Sequence, residues 1–397
     1  MTRVGSGVSL AELAGDPYAA YRRLRAEQPV CWLPEPKQWL VTRWADVATV
    51  LRDAESFTTD MPGSPLIQLC SGVPLGARVG EDHRQIREAV AHDYAPHRIN
   101  DFVDTIVRPR AERLVADVFP AGHADVLSAY FEPAALSSHA DLLGIGDTDA
   151  ARLWRWGMAM VNASTDFHGD PATATEARAA MADLDSVLGS LVDRLRTAPD
   201  TSVISHLVHA NRPADDPRPD ADVLPVVKQF AQGQLQAGWL GGWTLLALLA
   251  HPDQLAQVLA DRWLVGAAVY EALRWSSPLG VVSRRTTRPV VLSGQEIPAG
   301  AVLAVGVGSA NRDETVFERP DEFDVHRTVR THLGFGLGEH HCPAYAFVPA
   351  IARTTVDVLL DRIPDLSPEP SWQPAPHGWK LRLPGPIRVT WRYDAAQ

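Results

Sequence analysis

The sequence predicts a mainly α-helical protein with a smaller β portion. Apolar residues recur at helical spacing through most of 81–275, and apolar residues alternate within 278–305. Hydrophobic residues make up 46% of the 397-residue chain, which is enough to bury a large core. No repeat or low-complexity run interrupts the chain, so we expect one domain over residues 1–397.

The expected elements follow in chain order. Helices are predicted at 11–27 and 44–55, with β-like segments between them at about 30–42. The proline- and glycine-rich stretch 60–80 predicts a long irregular loop, and such loops usually have a function, such as that of a lid. Beyond the helical region we expect an exposed loop at 211–221, β structure at 278–305 with a turn at 298–300, loops at 311–341, a helix at 343–361 and β-like tails.

Composition limits the classes of function. The net charge of −11 disfavours binding to nucleic acids and to anionic membranes. Three cysteines are too few for a disulfide scaffold, and the odd number fits a reducing cytoplasm. The N-terminus shows no secretory signal. Residues 229–250 carry no charge, but their four glutamines and four glycines predict a core helix rather than a membrane span.

The most informative stretch runs from His332 to Tyr345. Three alternate glycines, 334, 336 and 338, allow tight turns and close approach to a flat ligand. Cys342 follows, and a helix predicted from Pro343 would favour its thiolate, a soft metal ligand. An inert buried cysteine is the plainer alternative. A dinucleotide-binding loop lacks the preceding strand, and a zinc site with His340 and His341 lacks a second ligand cluster.

The pattern Phe335-Gly-x-Gly-x-His340-x-Cys342 resembles the haem-binding loop of the cytochrome P450 superfamily, in particular its bacterial class. Three other segments match in the same order as in the family: His83 and Arg87, Glu271-x-x-Arg274, and the stretch from Ala310 to Arg327. The resemblance covers about residues 15–392. It implies a triangular prism of about a dozen helices around a buried haem b, and the activity of a haem-thiolate oxidoreductase.

The resemblance also implies roles for individual residues. Cys342 would be the axial metal ligand, with Phe335 beside the cofactor. The haem propionates would be bound by His83, Arg87, Arg284 and His340. Glu271, Arg274 and Arg327 would form a buried ion network that braces the haem loop. Ala344 and Pro349 depart from the family's usual glycine and arginine without removing a ligand.

The largest departure lies in the distal helix, where the family usually shows A-G-x-[DE]-T. Counting back from His251 matches Gly233 to the glycine, places Leu235 at the acid and places Gln236 at the threonine. No acid or alcohol occurs between Lys228 and Trp243, although such a pair delivers protons during dioxygen activation. Three accounts stay open: water or substrate supplies protons, peroxide replaces dioxygen, or the protein is catalytically inactive.

The distal helix suggests the kind of substrate. Gln232, Gly233 and Gln236 are the candidate catalytic residues, and both amides are expected to face the haem pocket. An aromatic substrate bearing amides would match them. Further candidate substrate contacts are Gln68, Leu69, Trp239, Val282 and Ser283, whereas Trp243 is expected to be core packing.

The chain also resembles the P450 subgroup that couples tryptophan-containing diketopiperazines through a substrate radical produced by the oxidised haem. Hydroxylation of an aromatic or amide-bearing natural product is the alternative, and a non-catalytic P450-like partner protein is the alternative from another class. Because no redox domain is fused to the chain, a ferredoxin and its reductase would deliver electrons. Arg98, Arg330 and Arg353 are candidates for a local basic docking patch.

Overall fold

A computed structural model describes residues 7–213, 215–328 and 331–392. Helices dominate these ranges, as the sequence predicts. They are α1 (Leu10–Gly15), α2 (Tyr18–Glu27), α3 (Trp44–Arg52), α4 (Pro65–Cys70), α5 (Gly80–Ala91), α6 (Pro96–Phe102), α7 (Arg108–Val118), α8 (Glu132–Leu143), α9 (Ala150–Thr165), α10 (Pro171–Thr197), α11 (Val203–His209), α12 (Asp220–Ala250), α13 (Pro252–Ala260), α14 (Leu264–Ser276), α15 (Val307–Ala310) and α16 (Phe347–Arg362).

The strands are short. They are β1 (Val30–Leu33), β2 (Gln38–Val41), β3 (Phe57–Thr58), β4 (His123–Asp125), β5 (Val282–Thr286), β6 (Val290–Leu292), β7 (Gln295–Ile297), β8 (Val302–Val305), β9 (Ser367–Pro368) and β10 (Arg388–Thr390). The largest sheet has the order β1-β2-β8-β5-β3, in which only β2 and β8 run parallel. This sheet fixes β5, the strand that carries Arg284.

The helix α12 runs through the core and packs against α8, α9, α14 and α16. Every residue from 237 to 248 is buried, which explains why this segment is apolar on all sides. Gly238 permits the close approach of the neighbouring chain, because a Cβ atom there would lie 2.8 Å from the carbonyl oxygen of Phe131. Among the described residues, no helix combines the length and apolarity needed to cross a membrane.

Several predicted boundaries need correction. The helix expected at 11–27 is divided at Asp16 and Pro17, because proline cannot continue the ladder of backbone hydrogen bonds. The stretch 60–80 is not wholly irregular, since it contains α4 and a 3₁₀ turn at Leu75–Ala77. The helix expected from Pro343 begins only at Phe347, after a turn at 343–346.

Candidate active site

The loop before α16 is tightly folded around Cys342. The Cys342 backbone N–H donates to the Phe335 carbonyl at 2.9 Å, which closes the loop. Gly336 and Gly338 both have left-handed backbone angles, with φ of 72° and 77°. A Cβ atom at Gly338 would also collide with the Leu51 carbonyl oxygen of α3. A Cβ atom at Gly334 would lie 2.9 Å from Leu273 of α14. The sequence pattern of alternate glycines therefore reflects two turns and two close packing contacts.

The structure corrects the argument for a free thiolate at Cys342. Burial raises the pKa of the Cys342 thiol to about 11, and it outweighs the lowering by the Ala344 backbone N–H and by the Arg87 charge. The expected effect of a helix N-terminus is missing because α16 begins at Phe347. A soft metal ion bound at the sulfur would take the place of the thiol proton.

Next to this loop, His83 of α5 and His340 pack with ring centroids 4.3 Å apart. His83 is buried, and neither of its ring nitrogens has a hydrogen-bond partner among the residues that the structure describes. Burial is the main reason that the pKa values of both imidazoles are lowered, to about 3 for His340, with the charge of Arg87 contributing at each ring. The His340 Nε2 atom lies 3.2 Å from the Thr59 hydroxyl.

Arg284 of β5 and Arg87 of α5 complete a basic cluster with these two histidines. The Arg284 side chain is buried and donates through Nη1 to the Ser283 carbonyl at 2.9 Å. Burial lowers the pKa of Arg284 to about 10, against the favourable charge of Glu339. Among the described residues, no carboxylate forms an ion pair with either arginine.

This cluster meets the requirements of a haem site. Buried cations and unpartnered ring nitrogens are costly unless an anionic group pairs with them. The two propionates of a haem would supply such anions, since Arg87 and Arg284 are charged donors and the neutral rings of His83 and His340 each carry one N–H that can donate. The Cys342 sulfur is close enough to Arg87 for the two to interact electrostatically. One flat, dianionic, metal-bearing ligand would therefore bind both to the Cys342 sulfur and to the basic cluster.

The helix α12 presents a partly exposed face within the stretch 225–248, which is otherwise buried. Its members are Gln229, Gln232, Gly233 and Gln236, which have the spacing of one helical face. A Cβ atom at Gly233 would meet nothing within 4 Å, so open space lies beside this turn. Tyr94 packs edge-on between Phe230 of α12 and Phe347 of α16, which connects this region of α12 to the Cys342 side.

The amides on this face have different partners. Gln229 Oε1 accepts from the Gly76 backbone N–H at 2.9 Å, so it anchors the 60–80 segment. Gln232 Nε2 donates to the Ser164 hydroxyl at 2.9 Å, at the end of α9. Gln236 has no hydrogen-bond partner among the described residues. Leu235 is fully buried near Gly157 of α9, so the position that matches the family's acid does not face the open space.

Trp239 does not line the open space, contrary to the sequence-based expectation. Its indole is fully buried and donates to Glu132 of α8 at 2.9 Å. Burial raises the pKa of the Glu132 carboxyl despite this bond and a second one from Trp154. Trp243 is buried and donates to the Arg382 carbonyl, as expected of core packing.

The other expected substrate contacts are divided. Gln68 is exposed, and its amide donates to the Gly63 carbonyl within its own segment. Leu69 packs against the main core, and its helix α4 packs against α12. Val282 and Ser283 are half-buried on β5, directly before Arg284.

The structure brings Glu271, Arg274 and Arg327 together. Arg274 forms a two-pronged ion pair with Glu271, with distances of 2.7 and 2.9 Å, and Arg327 Nε donates to the same carboxylate at 2.9 Å. Arg274 also donates to the Asn311 carbonyl. The Asn311 side chain in turn accepts from the Leu333 backbone N–H, at the start of the Cys342 loop. The network therefore reaches the loop through Asn311.

The expected basic patch is exposed where the structure describes it. Arg98 and Arg353 are exposed, and Arg330 lies outside the described residues. Sequence reasoning missed Thr59, Ser164, Glu132 and Lys380, whose contacts join segments far apart in the chain. No local motif could have indicated them.

Comparisons with known proteins agree with this site. A family model for Cytochrome P450 matches residues 244–347. The cytochrome P450 monooxygenase PikC of Streptomyces venezuelae is 31% identical, over 96% of this chain and 92% of its own length. Mycinamicin IV hydroxylase/epoxidase of Micromonospora griseorubida is 30% identical, over 94% of each chain.

Solved structures show the same architecture. The structure of HmtN, a post-tailoring hydroxylase involved in himastatin biosynthesis, has a TM-score of 0.82 and 26% identity, covering 97% of this chain and all of that one. The mainly helical fold with its small sheet is therefore the P450 fold, as the resemblance implied. The chain belongs to the cytochrome P450 family and is a haem-thiolate oxidoreductase.

Proposed function

We propose that this P450 is an oxidase of bacterial secondary metabolism that couples two tryptophan-containing diketopiperazines through a C–C or C–N bond. The observation that carries the proposal is the partly exposed face of α12, which bears amides and no acid or alcohol. Amides hydrogen-bond to a substrate but do not titrate near neutral pH. The face is therefore suited to binding and orienting an amide-bearing substrate rather than to relaying protons.

The cofactor is proposed to be haem b. Cys342 would hold its iron, and the cluster of His83, Arg87, Arg284 and His340 would hold its propionates. When bound, the haem supplies the one-electron oxidation that no side chain of the chain can supply. Phe335 would pack beside it in the glycine-rich loop.

The residues of the open space would position the reacting molecules. Coupling removes one hydrogen from each of two substrate molecules, one of them from an indole N–H, and adds no oxygen to the product. The two electrons and two protons removed, with two further electrons from the ferredoxin and two protons from water, would reduce dioxygen to two molecules of water. Gln232 and Gln236 would bind the polar edge of one molecule, and the space beside Gly233 leaves room for its ring. Val282 and Ser283 would contact it from β5.

Hydroxylation of a single aromatic or amide-bearing molecule is the second candidate. It is supported by the names of two relatives, a monooxygenase and a hydroxylase/epoxidase. A non-catalytic role is less well supported, because the chain keeps Cys342 and the complete basic cluster.

We further propose a single cytoplasmic domain that receives electrons from a ferredoxin and its reductase at a patch that includes Arg98 and Arg353.

A turnover assay read by mass spectrometry tests the proposal. The holoprotein is incubated with a surrogate ferredoxin pair and a panel of tryptophan-containing diketopiperazines, with Cys342→Ser as the inactive control. A product equal to two substrates less two hydrogens supports coupling. A product that gains one oxygen identifies a hydroxylase instead. No product and no thiolate-type carbon monoxide spectrum would favour the non-catalytic reading.

A further inference from the structure

Lys380 is a half-buried cation that has no counterion in the described part of the chain. Its Nζ atom lies 3.3 Å from the Ser164 carbonyl oxygen, and no carboxylate among the described residues forms an ion pair with it. Burial alone accounts for its lowered pKa. By contrast, the buried Lys228 pairs with Asp185 at 2.7 Å. An ammonium group that is partly shielded from water and lacks an acid favours a ligand that provides an acceptor.

The backbone places Lys380 at the edge of the active site. Its carbonyl accepts from the N–H groups of Gly280 and Val281, which directly precede β5. Its side chain reaches across to Ser164 at the end of α9. Lys380 therefore spans from the strand that carries Arg284 to the helix that packs on α12.

Gln232 contacts the side chain of the same serine. Its Nε2 atom donates to the Ser164 hydroxyl, which itself donates to the Val161 carbonyl. The Ser164 hydroxyl has one hydrogen, which it donates to Val161, so it can only accept from Gln232. The amide nitrogen of Gln232 must therefore face Ser164, and this fixes the orientation of the amide. Gln232 Oε1 is left as an acceptor without a partner among the described residues, on the face of α12 that borders open space.

We propose that Lys380 and Gln232 together bind one secondary lactam of the substrate. The Lys380 ammonium would donate to the lactam carbonyl, and Gln232 Oε1 would accept from the lactam N–H. A cis amide presents these two groups side by side. The two side chains that would receive them both contact Ser164, Lys380 through Nζ at the carbonyl oxygen and Gln232 through Nε2 at the hydroxyl, which leaves Gln232 Oε1 available as the acceptor. This inference rests on the proposed function, because a diketopiperazine ring consists of two such lactams.

Binding to the holoprotein is the test, read from the change in the haem absorption band and independent of turnover. The ligands are a cyclic dipeptide of two tryptophans, its lactam N-methyl derivative, N-acetyltryptophan carboxylate and 3-methylindole. The variants are Lys380→Met and Gln232→Leu. Lys37→Met removes the same charge from the exposed turn between β1 and β2 and is the matched control. An unchanged carbon monoxide spectrum shows that each variant is folded around its haem.

We expect Lys380→Met to raise the Kd of the cyclic dipeptide about 10- to 100-fold, the range for a hydrogen bond to a charged donor. Lys380→Met should not change the Kd of 3-methylindole, which has no lactam. Lys37→Met should bind every ligand with the Kd of the unmodified protein. N-methylation should weaken binding to the unmodified protein but have little effect in Gln232→Leu.

Three outcomes would overturn the inference. If the unmodified protein binds the cyclic dipeptide and Lys380→Met binds it equally, the lactam contact is wrong while the proposed function survives. If N-acetyltryptophan carboxylate binds more tightly than the cyclic dipeptide, and Lys380→Met raises its Kd by the larger factor, the partner of Lys380 is an anion rather than a lactam. If the cyclic dipeptide does not bind at all, both the inference and the proposed function fail.

Discussion

Replacing Glu271 with glutamine should strongly destabilise the protein. The Glu271 and Arg274 side chains are only 5% and 2% exposed, so solvent cannot compensate for a lost charge. The same carboxylate also accepts from Arg327. Glu271→Gln keeps the shape but leaves two guanidinium groups facing a neutral amide, one of whose atoms is now a donor. Breaking a buried ion pair on one side costs about 3–5 kcal/mol, a large part of a typical folding free energy of about 5–15 kcal/mol.

Urea titration followed by tryptophan fluorescence measures this loss. Glu322→Gln is the matched control, because the Glu322 side chain pairs with Arg319 at the surface and is 57% exposed. That pair should contribute no more than about 1 kcal/mol. We also expect Glu271→Gln to retain less haem, since Arg274 reaches the Cys342 loop through Asn311. A loss of stability no larger than that of the control would refute the bracing role of the network.

Three further predictions concern the site and its surroundings. Arg284→Met should lose haem to apomyoglobin faster than Arg284→Lys, because only the lysine keeps a cation for a propionate; equal rates would contradict that role. Leu235→Glu should lower the free energy of unfolding in urea by about 2 kcal/mol or more, since it buries a carboxyl near Gly157, and an unchanged stability would show that the side chain reaches the open space. Burial raises the pKa of Glu132, so the native state holds a proton that the unfolded state releases above its ordinary pKa of 4.5. Stability should therefore fall as pH rises above that value, and Glu132→Gln should lack this slope; equal slopes in urea titrations would oppose the assignment.

The residues that sequence reasoning located best are those whose relation is local. Glu271 and Arg274 are three apart on one helix, so their spacing alone puts them within reach of each other. His83 and Arg87 share a face of α5 for the same reason. The glycines before Cys342 could be interpreted because two of them adopt backbone angles that disfavour other residues.

Trp239 shows where such reasoning fails. It lies three residues beyond Gln236, so helical periodicity places it close to the same face of α12. Periodicity gives the direction of a side chain but not the element that covers it. Here α8 packs against that turn, and Glu132 accepts the indole N–H. Lys380 is a harder case, since its contact with Ser164 joins residues 216 positions apart.

The altered distal helix is part of a packed interface rather than an isolated loss. Leu235 occupies the position of the family's acid, and its Cδ1 atom would lie 2.9 Å from a Cβ atom at Gly157. The missing Cβ of that glycine therefore gives the leucine its space between α12 and α9. A carboxylate at the same place would be buried without a partner, which is costly. Random loss of the acid in an inactive protein would not require a leucine that packs closely against a glycine of α9. The filled interface, together with the basic cluster around His83 and Arg284, favours an enzyme with altered chemistry over an inactive relative.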